Sequence, residues 1–168
     1  MSEPAPTSTS PVEPRPVATV MLVRDGGEGV EVFLMQRSAH GMFGGLHVFP
    51  GGKVDRADGA SRWPTHAQGA DDVAASTTPG LDSGGLSYWV ACIRECFEEA
   101  EILLAPGPYG DTLRLHSPRI RARYETWRAR LNDGEADVLE AMCSEEKLRL
   151  ATDQLAYVSH WITPESQI

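Results

Sequence analysis

The chain has 168 residues, with 24 acidic against 15 basic side chains and a formal net charge of −9. That length suffices for one domain with a sizeable core, and 41% hydrophobic with 23% charged content is ordinary for a soluble globular protein. An acidic field argues against a nucleic-acid surface and an anionic membrane surface, but small anionic substrates stay open if a metal ion brings them in.

The first residues show no basic region followed by an apolar core, so no secretory signal is expected. No apolar run reaches the roughly 18–20 residues of a membrane span. Cys92, Cys96 and Cys143 are odd in number and lack Cys-x-x-Cys spacing. They read as reduced small hydrophobes, which points to the cytoplasm.

In chain order, residues 1–16 are Pro/Ser/Thr-rich and read as a disordered tail. "VATVMLV" (17–23) and "VEVFLMQ" (30–36) flank the turn "RDGGEG" and predict a β-hairpin. A glycine-rich loop, "HGMFGG", precedes a short strand "LHVF" (46–49) that runs into "PGGKVD". Residues 59–86 show no period and read as a long loop, functional or inserted. A helix is expected over 87–104, stopped by "APGPYG". A second follows in "RIRARYETWRARL", where Ile120, Tyr124, Trp127 and Leu131 form one apolar stripe. Helical "EADVLEAM" and "SEEKLRL" and a strand-like "LAYVSHWI" (155–162) close the chain. The order of strands and helices predicts an α/β or α+β sandwich.

The first long helix is unusual in its charge. At about 100° per residue, Glu95, Glu98 and Glu99 share one face, and Ile93, Phe97, Ala100 and Leu104 lie on the opposite one. Like charges one turn apart destabilise a helix by a few tenths of a kcal/mol. The cluster is either a solvated acidic face or a set of oxygen ligands for a hard divalent cation; spacing alone leaves both open. Arg94 can pair with Glu98 across one turn but cannot neutralise all three.

The upstream context adds "FPGGKVDRAD" (49–58), a Pro-Gly-Gly turn followed by another acidic residue. Together with Arg94-Glu95-Cys96-Phe97-Glu98-Glu99, it resembles the Nudix box, G-x5-E-x7-R-E-U-x-E-E-x-G-U with U a bulky apolar residue. Gly52 begins the pattern, Asp58 stands where the family has Glu, and Ile102 takes the closing apolar position. Residues 59–93 replace the short spacer. Glu101 replaces the late glycine, so the helix is expected to run on rather than turn left-handed. Asp58, one methylene short, is expected to be weakened as a ligand or structural partner. "LMQRSAHGMFGGLHVFPGG" (34–52) and "WITPE" further resemble the coenzyme A diphosphatase branch, most of all its peroxisomal type and bacterial relatives. The loop lacks the second arginine of the bacterial coenzyme A motif, and Met42 stands near that position.

The resemblance implies an α/β/α sandwich with a mixed sheet, spanning 17–168 with an insertion at 59–86. It also implies hydrolysis of a nucleoside diphosphate derivative with Mg²⁺ or Mn²⁺. Glu95, Glu98 and Glu99 become the metal candidates. Glu95, Glu98 and Arg94 are the catalytic candidates, with Arg94 aiming the carboxylates. Arg37, Gly51 and Gly52 are the substrate-binding candidates. His40, His47 and the arginines at 119, 121, 123, 128 and 130 read as polar loop residues and a solvated helix face. The branch continues past "WITPE", so the domain is expected to be C-terminally short. An unpaired sheet edge would then favour low solubility or oligomerisation, such as a homodimer, and an inactive truncated Nudix-fold binding module or non-functional fragment stays open beside the enzyme.

Overall fold

The computed structural model describes residues 13–39, 44–107 and 112–163. His40, Met42, most of the expected N-terminal tail and the end of "WITPE" lie outside them.

The described residues include six short strands, four of which carry β-branched residues. β1 (Val17–Thr19) pairs antiparallel with β6 (Gly51–Lys53), with Ala18 opposite Gly52 and Thr19 opposite Gly51. The hairpin is β2 (Val23–Gly26) with β3 (Gly29–Val32), turning at Gly27 and Glu28. β4 (Met35–Gln36) pairs with β5 (His47–Val48). The expected first strand is therefore split. Its first half leaves the hairpin and lies beside the Pro-Gly-Gly turn. Pro16, at the end of the expected tail, accepts a hydrogen bond at its carbonyl from the Val54 amide at 3.0 Å.

The chain is an α/β protein. Its described strands form three separate two-stranded antiparallel ladders rather than the expected mixed sheet. The expected strand at 155–162 carries no ladder, and Val158 and Trp161 are exposed. The strand-like pattern is present there, but no described strand pairs with it.

Residues 59–86 are more ordered than their composition suggests. They hold a 3₁₀ turn at Ala60–Arg62 and α1 (Asp72–Thr77). The side chain of Asp71 caps α1 by accepting from the Ala74 amide at 2.8 Å. Trp63 is 1% exposed, and its indole N–H donates to the Ala57 carbonyl at 3.1 Å. One buried tryptophan thus ties the segment into the core. Asp72 also accepts from the amides of Gly84 (2.8 Å) and Leu86 (3.0 Å), satisfying the start of the next helix.

That helix, α2 (Gly85–Ala100), is the centre of the molecule. Val90, Ile93 and Phe97 pack against Tyr124, Trp127 and Leu131 of α3 (Pro118–Asn132) and Val138, Leu139 and Met142 of α4 (Val138–Glu146). The stripe on α3 is as predicted, except that Ile120 is exposed. Only one helix forms at 138–146. Lys147 then turns left-handed at φ 54°, and Leu150 bridges to Ala67 instead of continuing it.

Helix α2 also ends four residues before the expected stop. Glu101 adopts φ 60° and ψ 19°, and the Glu101 and Ile102 amides bond back to the carbonyls of Phe97 and Cys96, each at 3.2 Å. This is the left-handed helix end usually built on glycine. Glutamate takes it here, against the expectation that it would prolong the helix.

Candidate active site

The site is built where α2 crosses β1 and β6. Gly51 and Gly52 are what allow that approach. A Cβ on Gly51 would stand 2.5 Å from the Ala18 carbonyl oxygen, and one on Gly52 would overlap the Glu95 carboxylate. The Gly51 amide donates to Oε2 of Glu99 at 3.0 Å. Both glycines named from sequence thus touch the glutamate face directly.

Arg94 organises that face from inside. It is 6% exposed. Its Nε and Nη2 each donate to Asp58, to Oδ1 and Oδ2, at 3.0 Å. Nη2 also donates to the Lys53 carbonyl at 2.7 Å, and Nη1 to Oε1 of Glu95 (3.0 Å) and of Glu98 (3.1 Å). Burial alone would favour the neutral guanidine, but the hydrogen bond and charge of Asp58, then the charges of Glu98 and Glu95, outweigh it and hold Arg94 firmly protonated.

Asp58 is 1% exposed and also accepts from the Asp55 amide at 2.8 Å. The shorter side chain was expected to weaken this position. Instead it makes a bidentate pair with Arg94, because the 3₁₀ turn Arg56–Asp58 carries its backbone close to α2.

Glu95 is 8% exposed. Burial raises its carboxyl above the ordinary range; Arg94 opposes this, while Glu98 and Glu99 add to it. A partly desolvated carboxylate among like charges is a good general base and a good ligand for a cation. The donor chemistry, three carboxylates on one helix face with a glycine cradle at Gly52, fits a hard divalent ion. Even so, no three His, Cys, Asp or Glu side chains converge as a metal cluster among the described residues. Arg94 holds one oxygen each of Glu95 and Glu98, and the Gly51 amide holds one of Glu99.

Beside this face lies a cavity of about 990 Å³. Gln36 and His47 from the β4–β5 ladder and Arg37, just after β4, line it together with Gly51, Glu99 and Glu101, over Phe33, Met35 and Phe49. Arg37, Gly51 and Glu99 are thus brought to one cavity. Glu95, Glu98, Arg94 and Gly52 sit behind it and are not part of its lining. His47 belongs to strand β5 and faces the cavity rather than a loop.

The arginines of α3 behave as a solvated face for the most part. Arg130 pairs with Glu135 at 2.6 Å and lies over the Trp127 ring at 4.6 Å, and Arg123 pairs with Glu146. Arg128 differs, donating to the Glu98 carbonyl at 2.7 Å and to Glu101 at 2.9 Å. Sequence reasoning did not separate it from its neighbours, since only the packing of α3 on α2 distinguishes it.

The NUDIX domain model matches residues 13–163 of this chain, which includes every one of these groups. The chain belongs to the Nudix family. Among curated proteins, this Nudix chain is similar to acyl-coenzyme A diphosphatase NUDT19 of Homo sapiens, 29% identical over 94% of this chain and 47% of that protein. It is also similar to acyl-coenzyme A diphosphatase NUDT19 of Gallus gallus, 29% identical over 79% of this chain and 42% of that protein. The chain therefore spans about half the length of these relatives. No solved structure matches it. No helix among the described residues of this Nudix domain is long and apolar enough to cross a membrane.

Proposed function

We propose that this Nudix protein hydrolyses the diphosphate of a nucleoside diphosphate derivative, with coenzyme A and acyl-coenzyme A the first substrates to try. The observation that carries the reading is the shared cavity of Arg37, Gly51 and Glu99, set against a helix whose remaining carboxylates are gathered by Arg94. The names of the two relatives support the choice of substrate.

In this reading Glu95, Glu98 and Glu99 would hold Mg²⁺ or Mn²⁺, which would neutralise charge developing on the phosphates. The backbone carbonyl of Gly51 or Gly52 is a further candidate ligand. Arg37 meets a substrate phosphate from the cavity wall. Glu95 or Glu98 orients or deprotonates the attacking water, and Arg94 keeps both aimed. Phosphoryl transfer depends on positioning and electrostatics more than on covalent help from the protein. The free thiols Cys92, Cys96 and Cys143 fit a reducing cytoplasm. Exposed valines on the hairpin, with Val23 at 61% and Val30 at 70%, fit self-association into a homodimer. Light scattering of the eluted protein measures that directly.

A second reading is binding without hydrolysis. It is favoured by the carboxylates being engaged with Arg94 and Gly51 rather than converged. Phosphate release from coenzyme A, ADP-ribose, NADH and nucleoside triphosphates, with Mg²⁺ or Mn²⁺, separates the two. The enzyme reading expects turnover of at least one, abolished by Glu98→Gln. A folded sample that binds a panel member but turns over none decides for the binding module.

A further inference from the structure

Glu101 sits where a Nudix helix turns left-handed, and it has a Cβ that this conformation disfavours. In turning, the chain diverts the Ile102 amide to the Cys96 carbonyl, so the Glu98 carbonyl has no helical donor of its own. One guanidinium answers both problems. Arg128 donates through Nε to the Glu98 carbonyl at 2.7 Å and through Nη1 to Oε1 of Glu101 at 2.9 Å. Its own position is fixed by α3, whose Tyr124, Trp127 and Leu131 are buried in the core. The Tyr124 ring meets Phe97 edge-on at 6.4 Å between centroids.

We infer that Arg128 is a positioning residue for the glutamate face, acting through the Glu98 carbonyl and the Glu101 side chain. It clamps the last turn of α2, the turn that aims Glu98 at Arg94 and Glu99 at the Gly51 amide. Glu101 and Arg128 therefore form one device that stands in for a glycine. The activity side of this inference rests on the hydrolase reading; the clamp itself does not.

The consequence is a specific pattern of rescue. Arg128→Ala in the native background loses the carbonyl donor and leaves Glu101 to hold a left-handed turn alone. Glu101→Gly removes the conformational penalty, so Arg128 matters less in that background. A lysine has one ammonium and cannot span both acceptors as the guanidinium does.

The test is a cycle of Arg128→Ala, Glu101→Gly and the double variant, with Arg128→Lys and Arg128→Gln as milder substitutions should the alanine variant fail to fold. Amide hydrogen exchange is read at Glu101 and Ile102 in metal-free protein, and kinetics are read on any substrate turned over. Arg128→Ala is expected to speed exchange at these two amides roughly tenfold, with the β2–β3 hairpin unchanged. It should lower kcat by about tenfold with KM within about twofold, and the double variant should recover most of both losses. Arg128→Lys should fall between Arg128→Ala and the native protein. Unchanged exchange in every Arg128 variant, or a double variant no better than Arg128→Ala, overturns the inference. Absence of turnover in the native protein would overturn the hydrolase reading, and the exchange cycle would still decide the clamp.

Discussion

Arg94 closes on both oxygens of Asp58 with two 3.0 Å hydrogen bonds across 36 positions of sequence. This pair joins the two halves of a motif that residues 59–93 hold apart. It also sets a buried charge whose removal is costly, because truncating one partner of a buried ion pair strands the other. Asp58→Ala is therefore expected to lower unfolding free energy by about 3 kcal/mol. Glu95 and Glu98 still partner Arg94, which keeps the loss toward the lower end of the range. Urea unfolding measures it, and a loss below about 1 kcal/mol would mean the pair contributes little. Asp58→Asn keeps the shape but not the charge, and should fall between.

Gly52 faces Glu95 so closely that no Cβ fits. Gly52→Ala should displace the Glu95 carboxylate and cut activity at least tenfold, at a stability cost of about 1–3 kcal/mol for overpacking. Gly51→Ala meets backbone, the Ala18 carbonyl, and should be more damaging to the β1–β6 ladder. Near-native activity in Gly52→Ala would show that Glu95 works from another position.

The segment 59–86 is predicted to be part of the fold rather than a removable appendage. Trp63→Ala empties a nearly fully buried site and should cost about 3–5 kcal/mol. Trp161, 81% exposed, is the control: its alanine variant should change stability by less than about 0.5 kcal/mol. Equal effects of the two substitutions on the thermal midpoint would refute the assignment of the core.

Glu95 gives a pH dependence with a defined sign. Its carboxyl is raised above the ordinary range by burial, despite Arg94, with Glu98 and Glu99 adding to the rise. The fold thus favours its protonated form. That contribution to stability is complete below the ordinary glutamate range and is lost as pH rises through the raised value. In EDTA-treated protein, Glu95→Gln should therefore gain stability relative to the native chain as pH rises from about 4 to about 7. A difference that stays flat across that interval would sink the prediction.

The thiols of Cys92, Cys96 and Cys143 are each pushed up to about 12, chiefly by burial, with nearby carboxylates adding to it. Very little thiolate is present near neutral pH, and the thiolate is the reactive species. Alkylation at about pH 8 should be slow in the folded protein and rapid in denaturant. Fast labelling of any one of the three without unfolding would contradict that.

Sequence by itself determined which carboxylates share one helix face, and the family, because both reside in residue types at fixed spacing. The positions of Arg94, Glu95, Glu98 and Glu99 on one helix follow from its 3.6-residue period. The apolar stripe of Tyr124, Trp127 and Leu131 was legible for the same reason. Tertiary structure alone decided what each side chain meets. Asp58 reaches Arg94 because a 3₁₀ turn delivers it, not because of its length. Glu101 turns left-handed although local propensity resists it, with a bond from Arg128 on another helix. The strand-like 155–162 stays unpaired because a β pattern needs an edge from elsewhere in the fold. Local periodicity is written in consecutive residues, whereas the partners of a buried carboxylate or a strand edge come from distant ones.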